Sequence, residues 1–267
     1  NEVESRLYRD RRPAGVLHAA VGAAVGAGAG GALQRVLGPG TGTAAATYVA
    51  VAQRQLATAA EEVAAGLAAD DLDAARALLP ALVGRDPAGL DEKEIARAVV
   101  ESVAENTVDA VVAPVLWAVL GGAPGVLAYR ALNTMDAMVG HRSPRHLRYG
   151  WAAARLDDAA NWLPARVTAA LVMACRPGRA ADVWRTVRAD APAHPSPNAG
   201  VAEAAFAGAL GVRLGGTNRY GERVEVRPSL GDGRAPDRSD IAPAVRLARD
   251  AGLLLTAALV GGAGRAP

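Results

Sequence analysis

Two long runs without a charged residue constrain this chain more than any other feature. Ala14–Leu33 is twenty residues long, and His18 is its only strongly polar member. Ala110–Tyr129 is equally long and carries no charge. A helix rises about 1.5 Å per residue, so twenty residues reach about the 30 Å of a bilayer's hydrocarbon core. Such runs belong in lipid or in a dry interior. The two differ in continuity. The first holds no proline. The second holds Pro114 and the break Gly121–Pro124, which predicts two short helices, paired as a re-entrant hairpin or as a buried pair.

The residues in these runs are small. Half of the 267 residues are hydrophobic, yet only 4% are aromatic. Small side chains suit helices whose backbones approach closely, as in membranes. Gly22, Gly26 and Gly30 form G-x-x-x-G steps of this kind. Gly26, Gly28 and Gly31 also match G-x-G-x-x-G, but a dinucleotide fingerprint needs a preceding strand and an acid about twenty residues on. The first acid downstream is Glu61, which argues against a nucleotide loop. With a net charge of +2 and no long basic run, nothing suggests a nucleic-acid partner, and none is expected. Cys175 stands alone, so no disulfide framework is expected. No charged segment with a cleavage site precedes the first apolar run, so no secretory leader is expected.

The expected fold is all-α: a polytopic helical membrane protein with short, Pro/Gly-interrupted helices, four or five membrane segments and at most one small hairpin. Residues 1–267 read as one membrane-embedded domain, shortened at its N-terminus, with a soluble helical portion at 53–96. Asp91 and Glu94 predict a capped helix start. Leu163–Cys175 and Ala251–Gly264 are further apolar segments. "NRYGERVEVRPSLGDG" carries the strand signal for one hairpin.

Polar clusters sit inside or beside the apolar segments. Glu101, Glu105 and Asp109 recur every fourth residue, with Asn106 beside them, so a helix places the acids on one face. Asn133 and Asp136 are three residues apart. Arg155, Asp157, Asp158 and Asn161 form a third group, and the loop His194–Asn198, with Ser196, a fourth. Arg142, Arg145 and Arg148 make a basic loop that suits an anionic substrate or a solvated membrane-side loop. Ionisable groups beside lipid are expensive and mark functional sites. Carboxylate and amide oxygens are the ligand set of a hard cation such as Mg²⁺. Spacing alone leaves a metal site, a site for a cationic substrate and solvated helix faces all open.

The stretches "SVAENTVDAVVAPVLWAVLGGAPGVLAYRALNTMDAMVG", "GWAAARLDDAANWLPARVTAAL" and "HPSPNAG" with "EAAFAGALGVRLGG" resemble the adenosylcobinamide-phosphate synthase family (CobD/CbiB type). The similarity runs from about Tyr8 to the last apolar segment. It implies a multi-pass protein of the bacterial cell membrane that acts in cobalamin biosynthesis. The implied reaction is ATP- and Mg²⁺-dependent amide formation between adenosylcobyric acid and aminopropanol or its phosphate. Other enzymes of the pathway are possible partners. The family does not assign roles to single acids; taken with the acidic stripe, the catalytic candidates are Glu101, Glu105, Asn106 and Asp109, with Glu105 and Asp109 as metal ligands. The substrate-binding candidates are Asn133, Asp136, Arg142, Arg145, Arg155, Asp157, Asp158, Asn161, His194, Ser196 and Asn198. The alternative is a non-catalytic membrane scaffold or sensor of the same fold. The chain departs from the family pattern in lacking an earlier apolar segment with a His-Pro motif, in Ala193 before His194, and at Val201–Ala202.

Overall fold

The structure, a computed structural model, describes Glu4 and residues 7–140, 143, 145–220 and 223–263. The helices are α1 (Arg12–Leu37), α2 (Pro39–Ala50), α3 (Gln53–Ala68), α4 (Leu72–Leu78), α5 (Glu92–Thr107), α6 (Ala113–Met135), α7 (Trp151–Cys175), α8 (Ala180–Asp190), α9 (Ala199–Leu210) and α10 (Ile241–Ala263). Two π-helical turns, Val108–Val112 and Asp136–Gly140, flank α6. Strands β1 (Leu214–Tyr220) and β2 (Arg223–Leu230) form one antiparallel hairpin. The chain passes twice through each of two compact units. Asn1–Val51 and Asp109–Pro164 make the first, and Ala52–Val108 and Ala165–Pro267 the second.

In the first unit, α1 lies backbone to backbone on α6. A Cβ on Gly26 would meet the Leu127 backbone, and one on Gly30 the Ala123 backbone. Gly28 and Gly31 face open space. The glycines therefore serve helix packing, and the dinucleotide fingerprint is discarded, because all of its positions lie within one continuous helix. Gly38, at φ 82°, closes α1, and Pro39 opens α2.

The uncharged run after Asp109 folds back on itself. Pro114 is tolerated because it lies in the first turn of α6. Gly122 leaves helical geometry at φ 59°, ψ −154°. A Cβ on Gly125 would sit 2.7 Å from the Trp117 carbonyl oxygen. Eight residues of straight helix would separate those positions by about 12 Å. The expected break at Gly121–Pro124 is thus a helical hairpin.

Apolar side chains of this unit point outward, among them Val25, Val36, Tyr48, Val119 and Trp162. Only 17% of the most apolar stretch of α1 is buried, which leaves an exposed apolar surface along it. Among the described residues two helical stretches have the length and hydropathy to cross a membrane, Arg12–Leu37 and Glu92–Gly140. Four or five were expected. Leu163–Cys175 and, up to the last described residue Ala263, the segment expected from Ala251 are the apolar halves of α7 and α10, whose other halves carry charges such as Asp157 and Arg249.

The second unit holds the larger core. Helix α5 buries Ile95, Val99, Val100 and Val103, and α9 buries every residue from Gly200 to Ala209. Helices apolar on all sides belong at the centre of a core. The expected cap is present: Asp91 Oδ1 accepts from the Glu94 amide at 2.8 Å, and Glu94 Oε2 from the Asp91 amide at 3.0 Å. The hairpin pairs Leu214 with Leu230 and Gly216 with Arg227, with a bulge between, where Gly215 and Gly216 take positive φ.

Candidate functional site

The polar residues separate into one group in each unit. The reason lies in the π turn at Val108–Val112. A π turn inserts one extra residue into the helix. The four-residue period that aligns Glu101, Glu105 and Asp109 therefore ends at Val108. Glu101, Glu105 and Asn106 belong to the second unit, and Asp109 to the first.

In the first unit Asp109 joins residues from α6 and α7. The Asn133 amide donates to Asp109 Oδ2 and to Asp157 Oδ1, each at 3.2 Å. The Asn161 amide donates to Asp157 Oδ2 at 3.0 Å. The Tyr129 hydroxyl donates to Asn161 Oδ1 at 2.9 Å. Asp157, Asn161 and Tyr129 are all buried. Burial pushes the Asp157 carboxyl above its ordinary range, the Asn133 and Asn161 hydrogen bonds hold it down, and the neighbouring Asp158 pushes it up again. Asp158 is raised by burial and held by Arg155, 3.5 Å away.

The third and first sequence groups thus meet through Asn133, as the spacing alone could not say. Asp109 and Asp157 supply two hard oxygen donors on a rigid amide frame. Mg²⁺ is held in proteins by one or two carboxylates with substrate phosphates and water, not by a full protein cage. The pair fits that mode. Among the described residues no group of three or more His, Cys, Asp or Glu forms a closed metal cage.

The basic loop lies elsewhere in this unit. Arg145 stacks over Tyr8 at 4.4 Å and reaches Glu4 at 3.4 Å, and Arg148 lies 4.0 Å from Asp10. His146 faces Glu4 at 3.1 Å. Arg142 falls outside the described residues.

In the second unit Glu101 holds structure together. It pairs with Arg85 and accepts the Gly215 amide at 2.8 Å, anchoring the bulge of β1. Arg85 also donates to Asn218 at 2.8 Å. Asn106 turns back onto its own helix, donating to the Ser102 carbonyl at 2.9 Å. Glu105 Oε1 faces Arg227 at 3.7 Å. Beside it lies Glu203 in α9, fully buried, with Oε1 3.8 Å from Arg227 and 3.6 Å from His194 Nε2. The loop that carries His194 is pinned at both ends: Ser196 Oγ accepts from the Ala199 amide at 3.1 Å, and Asn198 Oδ1 accepts from Arg166 of α7 at 3.0 Å. Gly200 lets this loop close down, because a Cβ there would strike His194.

Burial pushes Glu203 well above the ordinary glutamate range. Glu105 and Glu101 push the same way, and Arg227 opposes them. His194 is pushed down by burial, against the Ser196 backbone hydrogen bond. Sequence reasoning missed Glu203, Arg227 and Tyr129. Glu203 had a signal, since it is the one acid in the otherwise apolar "VAEAAFAGAL". Arg227 and Tyr129 had none.

A mainly helical protein with two long apolar stretches and buried carboxylate–amide groups is the class that this fold and these sites define. The family described as CobD/Cbib protein matches residues 1–248, and the chain belongs to that family. The cobalamin biosynthesis protein CobD of Mycobacterium tuberculosis (strain H37Rv) is 54% identical over 256 residues, covering 93% of this chain and 81% of that protein. Its namesake in Geobacter metallireducens is 45% identical, covering 86% and 76%. That of Chromobacterium violaceum is 50% identical, covering 79% and 67%. No solved structure matches the chain.

Proposed function

We propose that this protein, as a member of its family in cobalamin biosynthesis, is an ATP-dependent amide-forming ligase. It joins a propionate of adenosylcobyric acid to aminopropanol or its phosphate. The observation that carries the reading is the Asp109–Asn133–Asp157–Asn161 group, in which Asp157 and Asn161 are buried and Asp109 and Asn133 half-buried. A membrane scaffold or sensor has no use for two carboxylates held this way beside apolar helices. An ATP-using enzyme does, since the phosphates need a counter-charge.

Asp109 and Asp157 would hold Mg²⁺, which neutralises phosphate charge during phosphoryl transfer. Glu105 was the other expected ligand. Its charge faces Arg227, so Asp157 takes that place here. Asn133 and Asn161 orient the Asp157 oxygens, and Tyr129 fixes Asn161. In the reaction the propionate attacks the γ-phosphoryl group and ADP leaves. The amine then displaces phosphate from the acyl carbon. The apolar surfaces of α1 and α2 and the α6 hairpin support a place in the cell membrane, with lipid as a partner.

Oxygen tracing tests the chemistry. Corrinoid labelled with ¹⁸O in the propionate should deliver one labelled oxygen to inorganic phosphate for each amide formed. Amide formation with unlabelled phosphate would overturn the acyl-phosphate route.

A further inference from the structure

We infer that Glu203 anchors a primary ammonium group, that of the incoming aminoalcohol, in a site completed by His194; this rests on the amide-forming reading above. Three atoms carry the inference. Both Glu203 carboxyl oxygens and His194 Nε2 are buried and meet no close hydrogen-bond partner; the nearest candidate, the neighbouring Glu105 carboxyl, pushes the Glu203 carboxyl further above its ordinary range. Buried polar atoms without partners are rare in native proteins and expensive. An ammonium carries three N–H donors and no acceptor, which matches three empty positions. His194 can present an acceptor there. Its Nδ1 lies 3.1 Å from both the carbonyl oxygen and the amide nitrogen of Ser196, and in the tautomer that donates to the carbonyl the Nε2 lone pair faces Glu203.

The charges around Glu203 point the same way. From α5 come Glu101 and Glu105, from β2 Arg227, and from the loop before α9 His194. Glu101 is already paired with Arg85. Two carboxylates, Glu105 and Glu203, then face the one guanidinium of Arg227, at 3.7 and 3.8 Å. In the free protein Glu203 keeps its proton and Arg227 balances Glu105. A bound monocation lets Glu203 give up that proton and takes the place of the charge that buried His194 does not supply. Helix α9 has 12 residues, too few to cross a bilayer, so this acid sits in the protein core of the second unit.

The test is direct binding to the full chain in detergent, without ATP or corrinoid. The probes are aminopropanol phosphate and propyl phosphate, its amine-free analogue. Wild type should bind the amine at least about tenfold more tightly than the analogue. Glu203→Gln should lose that preference and bind both alike. Equal binding of the two probes by wild type would overturn the site, and needs no variant to fold. So would an unchanged preference in Glu203→Gln, or displacement of the amine by Mg²⁺ alone. A wild type that binds the amine through Glu203 but forms no amide supports this site and defeats the ligase reading. A Glu203→Gln protein that binds and turns over normally defeats this site and leaves the ligase reading intact.

Discussion

At the scale of single residues, acids that look alike in the sequence have different physical situations. Glu101 has a buried partner. Glu101→Gln leaves Arg85 buried without its counter-charge, which costs about 3–5 kcal/mol. The denaturation midpoint of the purified variant checks this, and an unchanged midpoint would assign Glu101 a dispensable role. Glu203 behaves oppositely. Its folded state keeps the proton that the unfolded chain gives up above about pH 4.3. The wild type therefore loses stability as pH rises from there towards the folded value, and a glutamine does not. Thermal melts should find Glu203→Gln more stable than wild type at pH 7 and equal to it at pH 4. A variant less stable at pH 7 would mean that Glu203 is ionised and paired. The sequence made the polarity of these positions legible, through acids set among apolar residues. It could not tell a clamp from a site, because Arg85, Gly215 and Arg227 reach them from 16, 114 and 24 residues away.

At the scale of elements, glycine decides where helices bend and touch. Gly122→Ala puts a Cβ on a residue at φ 59°, ψ −154°, against the Gln34 amide. Backbone strain of this kind costs about 1–3 kcal/mol. Gly28→Ala is the control. Gly28 lies in mid-helix facing open space, and alanine there should stabilise by about 0.5–1 kcal/mol. Melting temperatures of the two variants in the same detergent should shift in opposite directions; shifts of the same sign would contradict the hairpin geometry. The capping box at Asp91, the strand pair and the break at Gly121–Pro124 were all readable, because each is written in local residues. The π turn at Val108–Val112 was not. Its residues, "VDAVV", suit an ordinary helix, and that hidden insertion is why the regular acidic stripe divides after Glu105.

At the scale of the whole molecule, apolar surface sets the surroundings and buried acids set the chemistry. The outward Val25, Val36, Tyr48 and Val119 predict that the protein stays with membranes through alkaline carbonate extraction. Recovery in the supernatant without detergent would contradict a bilayer location. The number of membrane passes was the least legible feature, since small residues pack equally well on protein and on lipid, and among the described residues two stretches rather than four or five have the required length and hydropathy. The most direct measurement is product formation by membranes carrying the full chain, given adenosylcobyric acid, aminopropanol phosphate, ATP and Mg²⁺. A corrinoid amide should form that requires ATP, and Asp157→Asn, inserted in equal amount, should form it at least about 100-fold more slowly. No amide from the complete mixture, or the same amount without ATP, would contradict the assignment.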